Sequence, residues 1–217
     1  MGQPNSEEGQ AYMSLAVFLA DRREHDLTRW HSRLMLQPRE SLMCHEGSVA
    51  RIALIVALAL RHYQIAPMVN IEAVLVGALT HDVAECLTGD SPGGFLKTKH
   101  PTFKAALAEI EREAEAVIYS RLPEPIAEYM LAAARRMEED SLEGQIIEYA
   151  DKLDAYNFAC AETALGHIMQ EEGAPPQTSL AALDRMRWPW LIQLRAAVEG
   201  GIELPQGDDR WRHGGVV

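Results

Sequence analysis

Between Leu42 and Tyr63 the residues Leu42, His45, Val49, Ile52, Val56, Leu60 and Tyr63 recur every three or four positions, so a single helix carries a histidine on its apolar stripe. An imidazole on that face points into a core, where a buried polar group is costly unless something pairs with it. The chain must therefore fold so that polar partners reach His45.

Two other stretches offer such partners. Asn70 reads as the N-cap of a helix through Ile71, Val74, Leu75 and Ala78, whose stripe continues into Asp82 and Glu85, with His81 one step round. A long helical pattern from Ser141 to Met169 carries Asp151 inward, on a face shared with Ile147, Asp154 and Phe158. Taken singly, each has an ordinary explanation: His45 as a hydrogen-bonded core histidine, His81-Asp82 as a helix-end pair, Asp151 as a salt-bridge partner. Jointly, two histidines and two carboxylates on apolar faces cost several kcal/mol to bury unless paired. One divalent cation would satisfy all four N and O donors at once.

The rest of the chain is helical in pattern. Tyr12, Leu15, Phe18 and Leu19 fall at helical spacing, and Asp21 to Arg39 sets five arginines around Trp30 in a short helix or ordered loop. Gly89 to Gly94 is a run of turn formers leaving the His81-Asp82 helix. Further helices are expected over Phe103 to Arg121, Ile126 to Met137 and Ser179 to Val198, the last kinked or split by Pro189. Gly173-Ala174-Pro175-Pro176 is expected to be a linker. No segment alternates with a period of two over six residues, so the expected architecture is an all-α bundle of about six to eight helices. One domain over 1–217 is expected, with its core at about 25–170, a C-terminal helical extension at 177–200 and a polar tail.

Charge and cysteine usage narrow the function classes. A net charge of -12 argues against a nucleic-acid-binding face, while an anionic small substrate remains open if a cation and local arginines reverse the field in a cleft. Cys44, Cys86 and Cys160 form no CxxC and are odd in number, which points to reduced, buried thiols. No basic leader with a hydrophobic segment opens the chain and the longest apolar run is Ile52 to Leu60, so neither membrane insertion nor export is expected and a cytoplasmic setting is.

The order His45, His81-Asp82, Asp151 resembles the H…HD…D signature of the HD-domain metal-dependent phosphohydrolases. The finer wording is Arg29-Trp30 ahead of the first histidine, then His81-Asp82-x-x-Glu85-x-x-Thr88-Gly89-Asp90-x-Pro92, then Ala150-Asp151-Lys152. It is similar to the YfbR-type 5′-deoxynucleotidases and the related phage DatZ-type dATP triphosphohydrolases. This resemblance spans about Arg29 to Phe158. It implies an all-α HD bundle, a homo-oligomer of two or more copies, and one divalent transition metal, Co²⁺ or Mn²⁺ before Zn²⁺, Mg²⁺, Fe²⁺ or Ni²⁺. It also implies His45, His81, Asp82 and Asp151 as metal ligands, Glu85 and Asp90 as catalytic acids, and Arg29, Trp30 and Lys97 as substrate contacts.

The chain departs from the usual Glu-His-Ser wording, having Cys44-His45-Glu46, so that Glu46 is either surface polarity or an outer partner of the site. The activity implied is hydrolysis of the 5′ phosphate ester of a deoxynucleotide. A monophosphate would give phosphate and a deoxynucleoside; a triphosphate, dATP by preference, would release triphosphate, as in the phage enzymes. Trp30 can stack on a base or sugar or simply anchor a core. A nucleotide sensor that binds without turnover is the reading from another class. If the chain is phage-encoded, its setting is the host cytoplasm.

Overall fold

The computed structural model describes residues 27–29, 40–89, 100–138, 140–166 and 175–201. Among these are eight α-helices and one 3₁₀ turn: α1 Leu42–His62, α2 Ile71–Ala78, α3 Glu85–Thr88, α4 Pro101–Tyr119, α5 Glu124–Ala134, the 3₁₀ turn Arg136–Glu138, α6 Leu142–Ala164, α7 Pro175–Arg185 and α8 Pro189–Gly201. The expected all-α class is the observed one. The three helices that matter most for the site's scaffold start at side-chain caps. Ser41 accepts from the Cys44 amide, Asn70 from the Ala73 amide and Ser141 from the Gly144 amide, each satisfying an N–H that has no partner within the helix.

The main core is where α1, α2 and α6 meet, closed from the far side by α7 and α8. Val49, Ala53, Ala57 and Leu60 of α1, Val74 and Ala78 of α2, and Ile146, Ile147 and Ala150 of α6 are fully buried. Close approach of α2 to α6 depends on Gly77, where an added Cβ would lie 2.6 Å from Ile147 Cδ1 and 3.1 Å from Arg136 Cβ. On the other side, Trp190 of α8 stacks with Trp188, meets the Tyr149 ring edge-on, and donates its indole N–H to Gln145 Oε1 at 2.8 Å. A second, smaller core of Val83, Ile118, Tyr119, Leu122 and Ala134 lies between α4 and α5. Val83 belongs to it, which pins the His81-Asp82 corner against that layer.

Several boundaries differ from the sequence expectations. The α2 helix stops at Ala78 instead of running on to Asp82 and Glu85; residues 79–84 are a succession of tight turns. Thr80 Oγ1 donates back to Val76 O and His81 Nδ1 to Ala78 O, so side chains take the last carbonyls of the helix and the backbone is released. Pro175 and Pro176 open α7 rather than forming a linker, consistent with the tolerance of the first helical turn for proline. Pro189 does split the C-terminal segment, standing first in α8. The long pattern from Ser141 ends at Ala164, followed by Gly166 at φ +92.

The strand-like pairing among the described residues is one isolated antiparallel bridge, Thr28 to Ser41, flanked by Arg29 N–H to Glu40 O at 2.9 Å and Leu42 N–H to Leu27 O at 3.0 Å. It fastens Arg29 beside the start of α1. By length and composition α1 could cross a membrane. Here it is the central helix of the bundle, with His45 and Glu46 buried along it. The expectation of buried thiols fails: Cys44 and Cys160 are exposed on the outer faces of α1 and α6 and Cys86 is half-buried, none of the three in a disulfide.

Candidate metal centre

Three elements converge on one point. His45 comes from the first turn of α1, His81 and Asp82 from the turns after α2, and Asp151 from the middle of α6. His45 Nε2 lies 3.4 Å from Asp82 Oδ2 and 3.4 Å from Asp151 Oδ1, and His81 Nε2 lies 3.3 Å from Asp82 Oδ2. The two imidazoles are 5.3 Å apart between ring centres. One donor atom from each of His45, His81 and Asp151 falls within 4.8 Å of the others.

The hydrogen bonds on the far side of each ring fix what this near side can do. His81 Nδ1 is 2.9 Å from Ala78 O, and a carbonyl can only accept, so Nδ1 carries the hydrogen. His45 Nδ1 is 2.8 Å from Asp154 Oδ2 and donates to that carboxylate. In both neutral rings the lone pair is therefore on Nε2, and both Nε2 atoms are buried with no hydrogen-bond partner. Each faces carboxylate oxygens, which also present only lone pairs. Lone pairs on four converging atoms repel one another unless positive charge sits among them. The donor set therefore fits a divalent cation, with hard oxygens and borderline imidazole nitrogens suited to a first-row transition ion.

Electrostatics tell the same story. Burial works against a charged His45 ring, yet the surrounding carboxylates Asp151, Asp154 and Asp82 outweigh it and hold its pKa well above the ordinary histidine value. Burial likewise opposes a charged His81, and Asp82 raises its pKa overall. For Asp82, burial is outweighed by the two histidines, and for Asp151 by Lys152 and the histidines, so both carboxyls stay well below the usual range. The pocket thus selects positive charge. A proton can satisfy one nitrogen; a cation can satisfy all four groups.

Lys152 contacts Asp151 Oδ2, which leaves Asp151 Oδ1 as the oxygen turned toward His45. Glu85 begins α3, its N–H bonded to Asp82 O at 2.9 Å, and its Oε2 is buried. It does not lie on one continuous helix with His81, as its four-residue spacing had suggested. Arg29 is close enough for its charge to oppose protonation of His45 and to lower the pKa of Glu40, although burial and then Asp154 dominate there and raise it. Glu46 is buried, which excludes the surface-polarity option. Trp30, Asp90 and Lys97 lie outside the described residues. Asp154, on the Asp151 face of α6, belongs to the site through its bond to His45, a part that the sequence pattern alone does not assign to it. The signal was its spacing of three residues from Asp151 on a helix already assigned inward.

A helical bundle that draws histidine, histidine-aspartate and aspartate together in this chain order defines the HD-domain class. The same fold is seen in an HD-domain phosphohydrolase of Listeria innocua (TM-score 0.66, 22% identity, covering 88% of this chain and 85% of that one) and in a protein of Magnetospirillum magnetotacticum described as a predicted metal-dependent phosphohydrolase (TM-score 0.63, 19% identity, 90% and 94%). More narrowly, residues 18–189 match the family described as 5′-deoxynucleotidase YfbR-like, and the chain belongs to that family. Its relatives include a 5′-deoxynucleotidase of Vibrio vulnificus, 31% identical over 59% of this chain and 65% of that protein. Another, from Vibrio parahaemolyticus, is 30% identical over 69% and 81%.

Proposed function

We propose that this protein is a metal-dependent 5′-deoxynucleotidase, hydrolysing deoxynucleoside 5′-monophosphates to deoxynucleosides and phosphate. Membership of the YfbR-like family supports the substrate class. The single observation that carries the chemistry is the pair of buried Nε2 atoms, neither hydrogen-bonded, facing Asp82 and Asp151. His45, His81, Asp82 and Asp151 are the ligands in this reading. When bound, the cation, Co²⁺ or Mn²⁺ by preference, supplies Lewis acidity toward phosphoryl oxygen and an acidified water.

The chain's own residues supply the rest. Glu85, next to Asp82 in the corner, orients the attacking water and accepts its proton. Asp90 delivers a proton to the departing 5′ oxygen of the sugar. The planar fork of Arg29, fastened beside α1 by the Thr28–Ser41 bridge, pairs with phosphate oxygens. Trp30 and Lys97 complete the nucleotide contacts. The acidic surface, with a net charge of -12, favours a small anion drawn to one local cationic point over a nucleic-acid polymer. One domain, a cytoplasmic setting and a homo-oligomer of two or more copies complete the reading.

Purified protein loaded with Co²⁺ or Mn²⁺ and offered dAMP and dATP tests it. Inorganic phosphate from dAMP is the expected product. Tripolyphosphate from dATP, with dAMP untouched, would replace the assignment with a triphosphohydrolase. Tight nucleotide binding with no product from any deoxynucleotide would make the protein a sensor.

A further inference from the structure

We infer that Asp154, backed by Ser48, is a positioning residue that fixes His45 in its Nδ1–H tautomer and aims Nε2 between Asp82 and Asp151. This rests on the metal-centre reading above and extends it one layer outward. Four observations carry it. Asp154 is buried beneath His45 and its Oδ2 takes the Nδ1 hydrogen at 2.8 Å. Its other oxygen, Oδ1, accepts from Ser48 Oγ, so each carboxylate oxygen has one assigned donor and the group cannot rotate without breaking both bonds. Ser48 stands three residues after His45 on α1, and Asp154 three residues after Asp151 on α6, so the relay ties the two helices together directly beneath their site residues. Finally, His45 Nε2 is buried and 3.4 Å from both site carboxylates, an orientation the relay enforces.

The physical consequence is pre-organisation. A ring free to rotate or to exchange tautomers would present Nδ1–H in place of a lone pair part of the time, and the carboxylate behind the ring also makes Nε2 a stronger donor. His81 has only a neutral carbonyl behind it, so of the two imidazoles His45 is the better electron donor.

The test follows Co²⁺ binding to the full-length protein and to Asp154→Ala, Asp154→Asn and Ser48→Ala after chelator treatment. It reads dissociation constant, visible d–d bands and the Tm of the metal-free protein. Asp154→Ala should weaken Co²⁺ by about 10–100-fold and shift the bands. Asp154→Asn, which keeps an oxygen to accept the Nδ1 hydrogen, should recover part of that loss. Ser48→Ala should cost about fivefold, the worth of one ordinary hydrogen bond. If Asp154→Ala does not fold, the other two variants decide, and wild-type binding in both overturns the inference. Affinities within about twofold of wild type across the set, with only Tm displaced, would make Asp154 a packing residue and leave the metal centre standing. A wild-type protein that takes up neither Co²⁺ nor Mn²⁺ would remove the metal centre and this inference together.

Discussion

The chemistry of the site comes down to which atoms carry hydrogens. Both imidazoles spend their Nδ1 hydrogens on acceptors behind them, and a cation can bind only where Nε2 is unprotonated. Because its carboxylate neighbours overcome burial and hold His45 well above the ordinary value of 6.5, the metal-free ring keeps its second proton above that pH. Metal uptake near neutrality must therefore expel a proton, and affinity should fall as pH is lowered. Calorimetric titration with Co²⁺ in buffers of different ionisation enthalpy should give heats that vary with the buffer; heats independent of it would contradict the protonated resting ring. Glu85 makes a separable prediction, since it lies in the corner but outside the ligand set. Glu85→Gln should lower the rate of phosphate release from dAMP by about 10²–10⁴-fold, the usual worth of a general base, while leaving Co²⁺ affinity at the wild-type value. A rate close to wild type would assign the proton to another group.

Among the elements, α1 and α6 carry their site residues on continuous helices, and the corner after α2 carries His81 and Asp82 on a run of turns. Its backbone is held by short-range turn bonds and by Val83, which is buried in the second core, rather than by a continuous helix. Its height above α6 depends on how closely α2 packs there, and Gly77 sets that distance. Replacing Gly77 with alanine would press a methyl group against Ile147 and Arg136. We expect a loss of about 1–3 kcal/mol, the ordinary cost of overfilling a packed core, visible as a lowered denaturant midpoint. The same shift lifts His81 and Asp82 relative to Asp151, so Co²⁺ affinity should drop with stability. Unchanged affinity in a destabilised Gly77→Ala protein would show that the corner is positioned from α4 and α5 instead.

Across the whole molecule, the site joins segments far apart in sequence, so whatever fills it ties α1, the corner and α6 to one another. A cation that binds only the folded state should add about 2.7 kcal/mol when its free concentration is a hundred times Kd. Thermal unfolding should then shift upward with added Co²⁺ and return with chelator, and His45→Ala should abolish that shift. A cation-independent Tm in the wild-type protein would argue against the centre. Much of this architecture was legible in the chain itself. The helical stripes, the cap at Asn70, the split at Pro189 and the inward aim of His45 and Asp151 all follow from periodicity and cap chemistry, which are local. The end of α2 was not legible, because the apolar stripe runs on past Ala78 while the side chains of Thr80 and His81 take carbonyls of its last turn. Nor were the exposure of Cys44 and Cys160, the burial of Glu46, or the relay from Ser48 through Asp154. The sequence by itself determined which residues face inward, since a helix repeats its faces with a fixed period. Only the tertiary structure decided which inward groups touch, because contacts between helices depend on how closely they approach, and that depends on packing at places such as Gly77.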